Sequence, residues 1–184
     1  MASRGRLMKR INATVAALFL LPALACALAW HPSVINWLIS FPLAFIWANW
    51  FEYAYHRWAD HTPGLYFEKK HRIHHAKPDD ENHHNLGDNP LTTLGMFVLN
   101  WTPVLLADMH FKIGFSAPVL LAFVIYVLVM EEAHWRIHSG EWVPESWRVY
   151  HLAHHGMGPE PTGGRTKYNI FLPIFDWIFG TIGR

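Results

Sequence analysis

The sequence predicts an all-α integral membrane protein: four transmembrane helices in two hairpins, with a cytosolic histidine-rich helical cap. Three observations carry that expectation. Apolar residues make up 52% of the 184-residue chain and charged residues only 16%, against about 25% charged in a typical soluble domain. The apolar residues collect into four runs, each near the length needed to cross a bilayer. Histidine occurs fourteen times, and H-x-x-H-H is written twice, as HRIHH at 71–75 and HLAHH at 151–155.

The first ten residues, MASRGRLMKR, form a basic N-terminus with Arg4, Arg6, Lys9 and Arg10. Residues 11–30 follow without a charge, and as a helix they extend about 30 Å, enough to span the hydrocarbon core. His31, Pro32 and Ser33 make a tight turn into a second run, 34–55. Pro42 is expected to kink that helix, and its Trp and Tyr residues suit an interface. Together these runs form the first hairpin, 11–55. A polar stretch, 56–90, separates it from a second hairpin built from 91–108 and 113–130, which Asn100, Thr102, Pro103 and Pro118 interrupt. From Glu131 onward the chain is polar, His-rich and aromatic, and it ends in YNIFLPIFDWIFGTIGR.

The basic start places the N-terminus in the cytosol by the positive-inside rule. Pass two then returns the chain to the cytosol at His56, and passes three and four return it again at Glu131. Both H-x-x-H-H segments therefore face one compartment. The basic start and ALA at 27–29 also resemble a secretory leader, but the apolar core is longer than the usual run of about 7–15 residues. Cleavage there would leave the second pass, and the side on which His56 emerges, unchanged.

Composition excludes several classes. A formal charge of +1 gives a nucleic-acid partner no electrostatic support. The single cysteine, Cys26, rules out an internal disulfide and every Cys-based zinc or iron–sulfur pattern. Histidine is the outlier. At this chain's own His frequency one H-x-x-H-H should arise roughly 0.08 times by chance, so two of them point to a site.

Ten histidines fall into four clusters: His56 and His61; His71, His74 and His75; His134 and His138; His151, His154 and His155. Residues three and four apart share a helix face, so each H-x-x-H-H projects its imidazoles together, and His134 and His138 can hold one metal between them. His56 is expected at the end of pass two, with His61 where that helix frays or turns. Neutral imidazole binds Fe, Zn and Cu. Ten ligands exceed what one ion accepts and fit two ions with five each. Vacant positions beyond those suit a redox pair that binds dioxygen better than a closed structural zinc site. Spacing alone does not identify the metal. Neutral ligands around two cations call for anions or polar partners nearby. Glu52 and Glu131 lead that set, with Asp60, Glu68 and Glu132 behind them, each expected to orient an imidazole through its second ring nitrogen. Asn169 and Tyr168 follow the last box and are placed to support it, with Gly163 and Gly164 permitting a tight turn. His31 and His110 fall on the opposite side of the membrane and read as ordinary residues. His83 and His84 read as loop residues near the site entrance.

These boxes resemble those of the integral-membrane fatty acid hydroxylase superfamily, which includes sterol desaturases. The order E-Y-x-x-H-R, H-x-x-H-H, apolar hairpin, H-x-x-x-H, H-x-x-H-H reads here as EYAYHRWADH, HRIHH, HWRIH and HLAHH. FDWIFGT at 175–181 is similar to the family's closing segment, and the likeness covers about 45–184. The four residues between His56 and His61 look more like the fatty acid 2-hydroxylase branch than the sterol branch. The resemblance implies a non-haem site for two iron ions held by the ten histidines. It implies hydroxylation of an unactivated lipid C–H bond with O2 and two electrons, a fatty acyl chain being the first choice of substrate. Purified samples are expected to carry zinc at times. Ten residues before the first run leave no room for a fused electron carrier, so a separate electron-transfer protein is expected.

Two other readings stand beside this one. A lipid desaturase or a carotenoid or sterol hydroxylase uses similar boxes. A non-enzymatic membrane metal-binding protein would place ligands near the bilayer midplane, where these runs have no histidine. The aromatic tail, with Phe171, Phe175, Trp177 and Phe179, reads either as a cover for the lipid entrance or as an interfacial anchor.

Overall fold

A computed structural model of the chain describes residues 3–85, 89–158 and 161–183. Helices are its regular elements, and no strand occurs among the described residues. In chain order they are α1 (Arg4–Leu18), α2 (Leu20–Trp30), α3 (Val34–Ala54), α4 (Tyr66–Ala76), α5 (Pro90–Phe111), α6 (Ser116–Ser139), α7 (Glu145–His154) and α8 (Ile174–Ile178). Four helical stretches are long and apolar enough to cross a membrane: Arg4–Trp30, Val34–Asp60, Pro90–Phe111 and Ser116–Ser139.

The helices outrun the apolar segments that announce them. The first begins at Arg4, inside the basic N-terminus, and α6 continues to Ser139, carrying His134 and His138. Hydropathy marks where a helix meets lipid, whereas a helix ends where its hydrogen bonds do. Proline acts unevenly. The first stretch is interrupted at Phe19, because Pro22 has no N–H to give the Leu18 carbonyl. By contrast, α3 runs on through Pro42 and α5 through Pro103.

The chain divides into two compact units. One comprises Met8–Ala48 and Gly87–Val129. Its interior is aromatic: Phe19 stacks on Phe97 at 4.4 Å, Trp101 meets Phe19 edge-on at 6.5 Å, and Phe45 meets Tyr126 at 5.0 Å. Several polar groups there are matched. Trp47 Nε1 donates to Asn100 Oδ1 at 2.9 Å, and the fully buried Asp108 accepts from the Gly114, Phe115 and Ser116 amides that turn α5 into α6. Asn89 caps α5 through the Leu91 and Thr92 amides, with Pro90 in the first turn. Leu21, Leu24, Leu28, Ile35, Leu38 and Leu99 remain exposed, a surface suited to lipid chains rather than water. His31 and His110 belong to this unit and are exposed.

The other unit comprises Met1–Leu7, Asn49–Leu86 and Met130–Arg184, and it holds all ten candidate histidines. Its N-terminal piece is clasped to the turn after α4. Ser3 Oγ donates to Glu81 at 2.8 Å, the Arg6 guanidinium pairs with the same carboxylate at 2.6 Å, and the Gly5 amide donates to Asn82 Oδ1 at 3.2 Å. A side chain at position 5 does not fit, since its Cβ would lie 1.8 Å from the Glu81 carbonyl oxygen. The aromatic tail is only partly an exposed anchor. Phe171 is buried against Trp147 and Phe179 stacks on Tyr53 at 5.2 Å, while Trp177 is 73% exposed.

Candidate metal centre

The ten histidines gather into two groups of five. His56, His61, His71, His75 and His154 form the first, and His74, His134, His138, His151 and His155 form the second. Within each group the ligating atoms all lie within 4.8 Å of one another.

Helix geometry explains the division. Successive residues on an α-helix are turned by about 100°, so positions i and i+4 nearly coincide and the residue between them looks elsewhere. On α4, His71 and His75 enter the first group while His74 enters the second; from α7 and its C-cap, His151 and His155 enter the second while His154 enters the first. The two H-x-x-H-H motifs thus exchange one histidine each. His134 and His138 complete the second group from the end of α6. His56 and His61 complete the first by a different winding. Beyond Ala54 the helix widens into a π-helical turn over Tyr55–Asp60. Its hydrogen bonds join residues five apart, which brings His56 and the following His61 together with ring centroids 5.2 Å apart.

The imidazoles face one another nitrogen to nitrogen. His71 Nε2 lies 3.0 Å from His56 Nε2, 3.1 Å from His61 Nε2 and 2.9 Å from His75 Nε2. His61 and His154 approach at 3.1 Å, as do His138 and His151, and His155 and His151. One ring proton cannot serve three such neighbours, so lone pairs converge with no hydrogen between them. His74 has neither ring nitrogen bonded, and His134 Nε2 has no partner. Buried polar groups left in this way are costly unless something else satisfies them. A cation at the centre of each group would do so.

Backbone carbonyls set the tautomers. His56 Nδ1 donates to the Tyr168 carbonyl, His154 Nδ1 to the Thr166 carbonyl at 2.7 Å, and His134 Nδ1 to the His84 carbonyl at 2.8 Å. With the proton held on Nδ1, Nε2 presents a lone pair. For these three rings the Nδ1 partner is a backbone carbonyl, where a carboxylate was expected. Glu52 is buried, yet its carboxylate accepts from the Ile170 amide at 2.7 Å and Asn169 Nδ2 at 3.1 Å. Glu68 pairs with Arg72 and Glu132 with Arg136. Glu131 is half-buried. Neutral imidazoles are content with neutral acceptors, and the buried Glu52 carboxylate holds the segment next to the Tyr168 carbonyl.

Asp176 does the same from the other side and was not singled out by the sequence. Fully buried, it accepts from the Tyr168 amide at 2.9 Å, the Asn169 amide at 2.7 Å and Thr181 Oγ1 at 2.8 Å. Asn169 joins the two carboxylates, its Nδ2 also donating to the Asn49 carbonyl at 3.0 Å. The tail FDWIFGT contained the signal, since an aspartate and a threonine amid aromatics must find partners. The Tyr168 ring packs edge-on against His56, His61 and His154 at 5.5 to 5.8 Å. Gly163 and Gly164 both have positive φ, as a tight turn requires, and a Cβ on Gly164 would lie 3.0 Å from His61 Cε1.

Electrostatics keep the rings neutral. Burial holds His61 and His75 down at about 4. His71, His74, His151 and His154 fall well below the ordinary histidine range, first from burial and then from neighbouring imidazoles. Neutral rings with converging lone pairs are what a divalent cation needs. Each group could hold a metal ion.

His84 is buried rather than placed at an entrance. It is 1% exposed, and its ring lies 5.2 Å from that of His138. His83 stays at the surface near Asp80.

The family model for fatty acid hydroxylases matches residues 41–181. No curated protein matches the chain. No solved structure matches it either. The match covers well over half of the chain and all ten histidines, and the chain belongs to the fatty acid hydroxylase family. It is an integral membrane protein of a lipid-oxidising enzyme family, and its histidine groups could hold metal ions.

Proposed function

We propose that the protein is a membrane-bound non-haem di-iron oxygenase that hydroxylates a lipid C–H bond, most simply in a fatty acyl chain. The observation that carries this reading is the division of ten buried or half-buried histidines into two adjoining groups of five. The ten would serve as the ligands, five to each ion. Two iron ions bound there would supply the chemistry that joins O2 and two electrons to hydroxylation of an unactivated C–H bond. The chain's own part is to hold lone pairs inward. The Tyr168, Thr166 and His84 carbonyls fix three tautomers, and the Glu52–Asn169–Asp176 network fixes the segment that carries the Tyr168 carbonyl. Glu131 remains a candidate to orient an imidazole.

The site is assigned to the cytosolic face. The basic N-terminal piece, through Ser3 and Arg6, bonds to Glu81 in the unit that carries the histidines, and basic ends stay in the cytosol. Electrons are assigned to a separate carrier protein. Expression with such a carrier, followed by mass spectrometry of cell lipids, tests the reading. A lipid product heavier by one oxygen atom is expected. A product lighter by two hydrogens would make the enzyme a desaturase, and an unchanged lipid profile with iron bound would overturn the oxygenase reading.

A further inference from the structure

We propose that His84 is an eleventh imidazole of the metal centre, supplying a further nitrogen to the ion of the second group. The proposal rests on the metal-centre reading and deepens it by making the two positions unequal. His84 follows the short turn Glu81–His83 and is 1% exposed. Neither of its ring nitrogens makes a hydrogen bond; the Pro78 carbonyl is close enough to influence the ring without meeting hydrogen-bond geometry. The ring stands among the second group's side chains, 5.2 Å from His138 at 33° and 6.4 Å from His74. It lies just outside the set of five whose ligating atoms converge within 4.8 Å. It also meets the Trp135 ring, with centroids 5.3 Å apart and the planes at 74°.

A loop histidine packed for volume alone would turn a nitrogen to water or to a carbonyl, as buried polar groups do. Here the loop is held in place from two sides. Its main chain is tied to the site, because His134 Nδ1 donates to the His84 carbonyl. Its turn is tied to the N-terminus, because Ser3, Gly5 and Arg6 bond to Glu81 and Asn82, and the Asn85 amide donates to the Gly5 carbonyl at 3.1 Å. The backbones approach so closely at Gly5 that no side chain fits there. An unbonded imidazole fixed at the edge of five others has the chemistry of a ligand. With it the second ion would have six imidazoles and the first five, leaving the first as the position open to a further ligand.

The test uses the full-length protein in detergent, loaded with Co2+, and follows release of each ion to an excess of chelator. In the wild type two ions per chain are expected. His84→Ala should release one of them about tenfold faster or more, with the other unchanged; the unchanged ion also reports that the fold is intact. In His84→Gly, added imidazole should slow the fast release again. Release of both ions at wild-type rates, or equal acceleration of both without rescue by imidazole, would show His84 to be a packing residue. A wild-type chain that holds no Co2+ would instead remove the metal-centre reading on which the proposal stands.

Discussion

The two histidine groups are built from the same parts and differ in their exposure. Each takes the outer pair of one H-x-x-H-H, the inner histidine of the other, and one further pair. In the second group all five residues are buried, whereas in the first His61 and His75 are only half-buried. The first is lined by the Tyr168 ring and the Gly164 turn, and the second adjoins His84. The difference teaches that a repeated motif does not make equivalent sites. Its neighbours decide how deeply each site is buried.

Ligand loss should have the largest effect on this comparison. His154→Ala removes α7's contribution to the first group, and His74→Ala removes α4's contribution to the second. Each should lower lipid oxidation by more than about 100-fold, beyond the loss usual for an outer-shell partner. Turnover assays with iron analysis would check this, and full iron with full turnover in either variant would refute that residue's assignment. Next comes Gly164→Val, which places a Cβ 3.0 Å from His61 Cε1 at a backbone φ of +79°. It should weaken metal retention about 10- to 100-fold at the first group alone, read by competition with a chelator.

Asp176→Ala should act through the segment at 168–170. It strands two amides and a hydroxyl, each costing about 1–3 kcal/mol, and should lower the melting temperature and metal retention together. Acid should destabilise the metal-free protein. His61 and His75 have folded-state pKa values of about 4, below the ordinary value of about 6.5. The unfolded chain therefore binds more protons between those limits, and stability falls as the pH drops from about 6.5 toward 4. Melting curves of metal-free protein should show this loss; bound metal should raise stability near neutral pH, and the loss in acid should then be at least as steep and continue until the ligands are protonated. The smallest effect belongs to His110→Ala. That residue is exposed in the other unit, and stability should stay within about 0.5 kcal/mol of wild type.

Much of this could be read from the sequence, for physical reasons. Hydropathy reports the cost of polar groups in lipid, so the four runs stand out without reference to packing. The spacing in HRIHH and HLAHH reports a helix face, so shared projection was legible too. How the boxes exchange His74 and His154 was not, because it depends on how α4 and α7 meet. The carbonyls of Thr166, Tyr168 and His84 were invisible for another reason: every residue has a carbonyl, and only the fold selects three of them. That is why carboxylates one turn from each box looked like the natural partners. The π-helical turn at Tyr55–Asp60 also escaped, since a spacing of five between histidines reads as divergence on an α-helix. His84 looked like a loop residue because its segment is rich in Asp and Asn, and the clasp from Ser3, Gly5 and Arg6 joins residues far apart in sequence.

The central claim is that the ten histidines of the four boxes make two separate ion positions, five contributed to each. Iron-loaded protein, analysed for metal per chain and by X-ray absorption for the atoms around each ion, tests it most directly. The account predicts two ions per chain in shells dominated by imidazole nitrogen. A single ion per chain, or none, would contradict it.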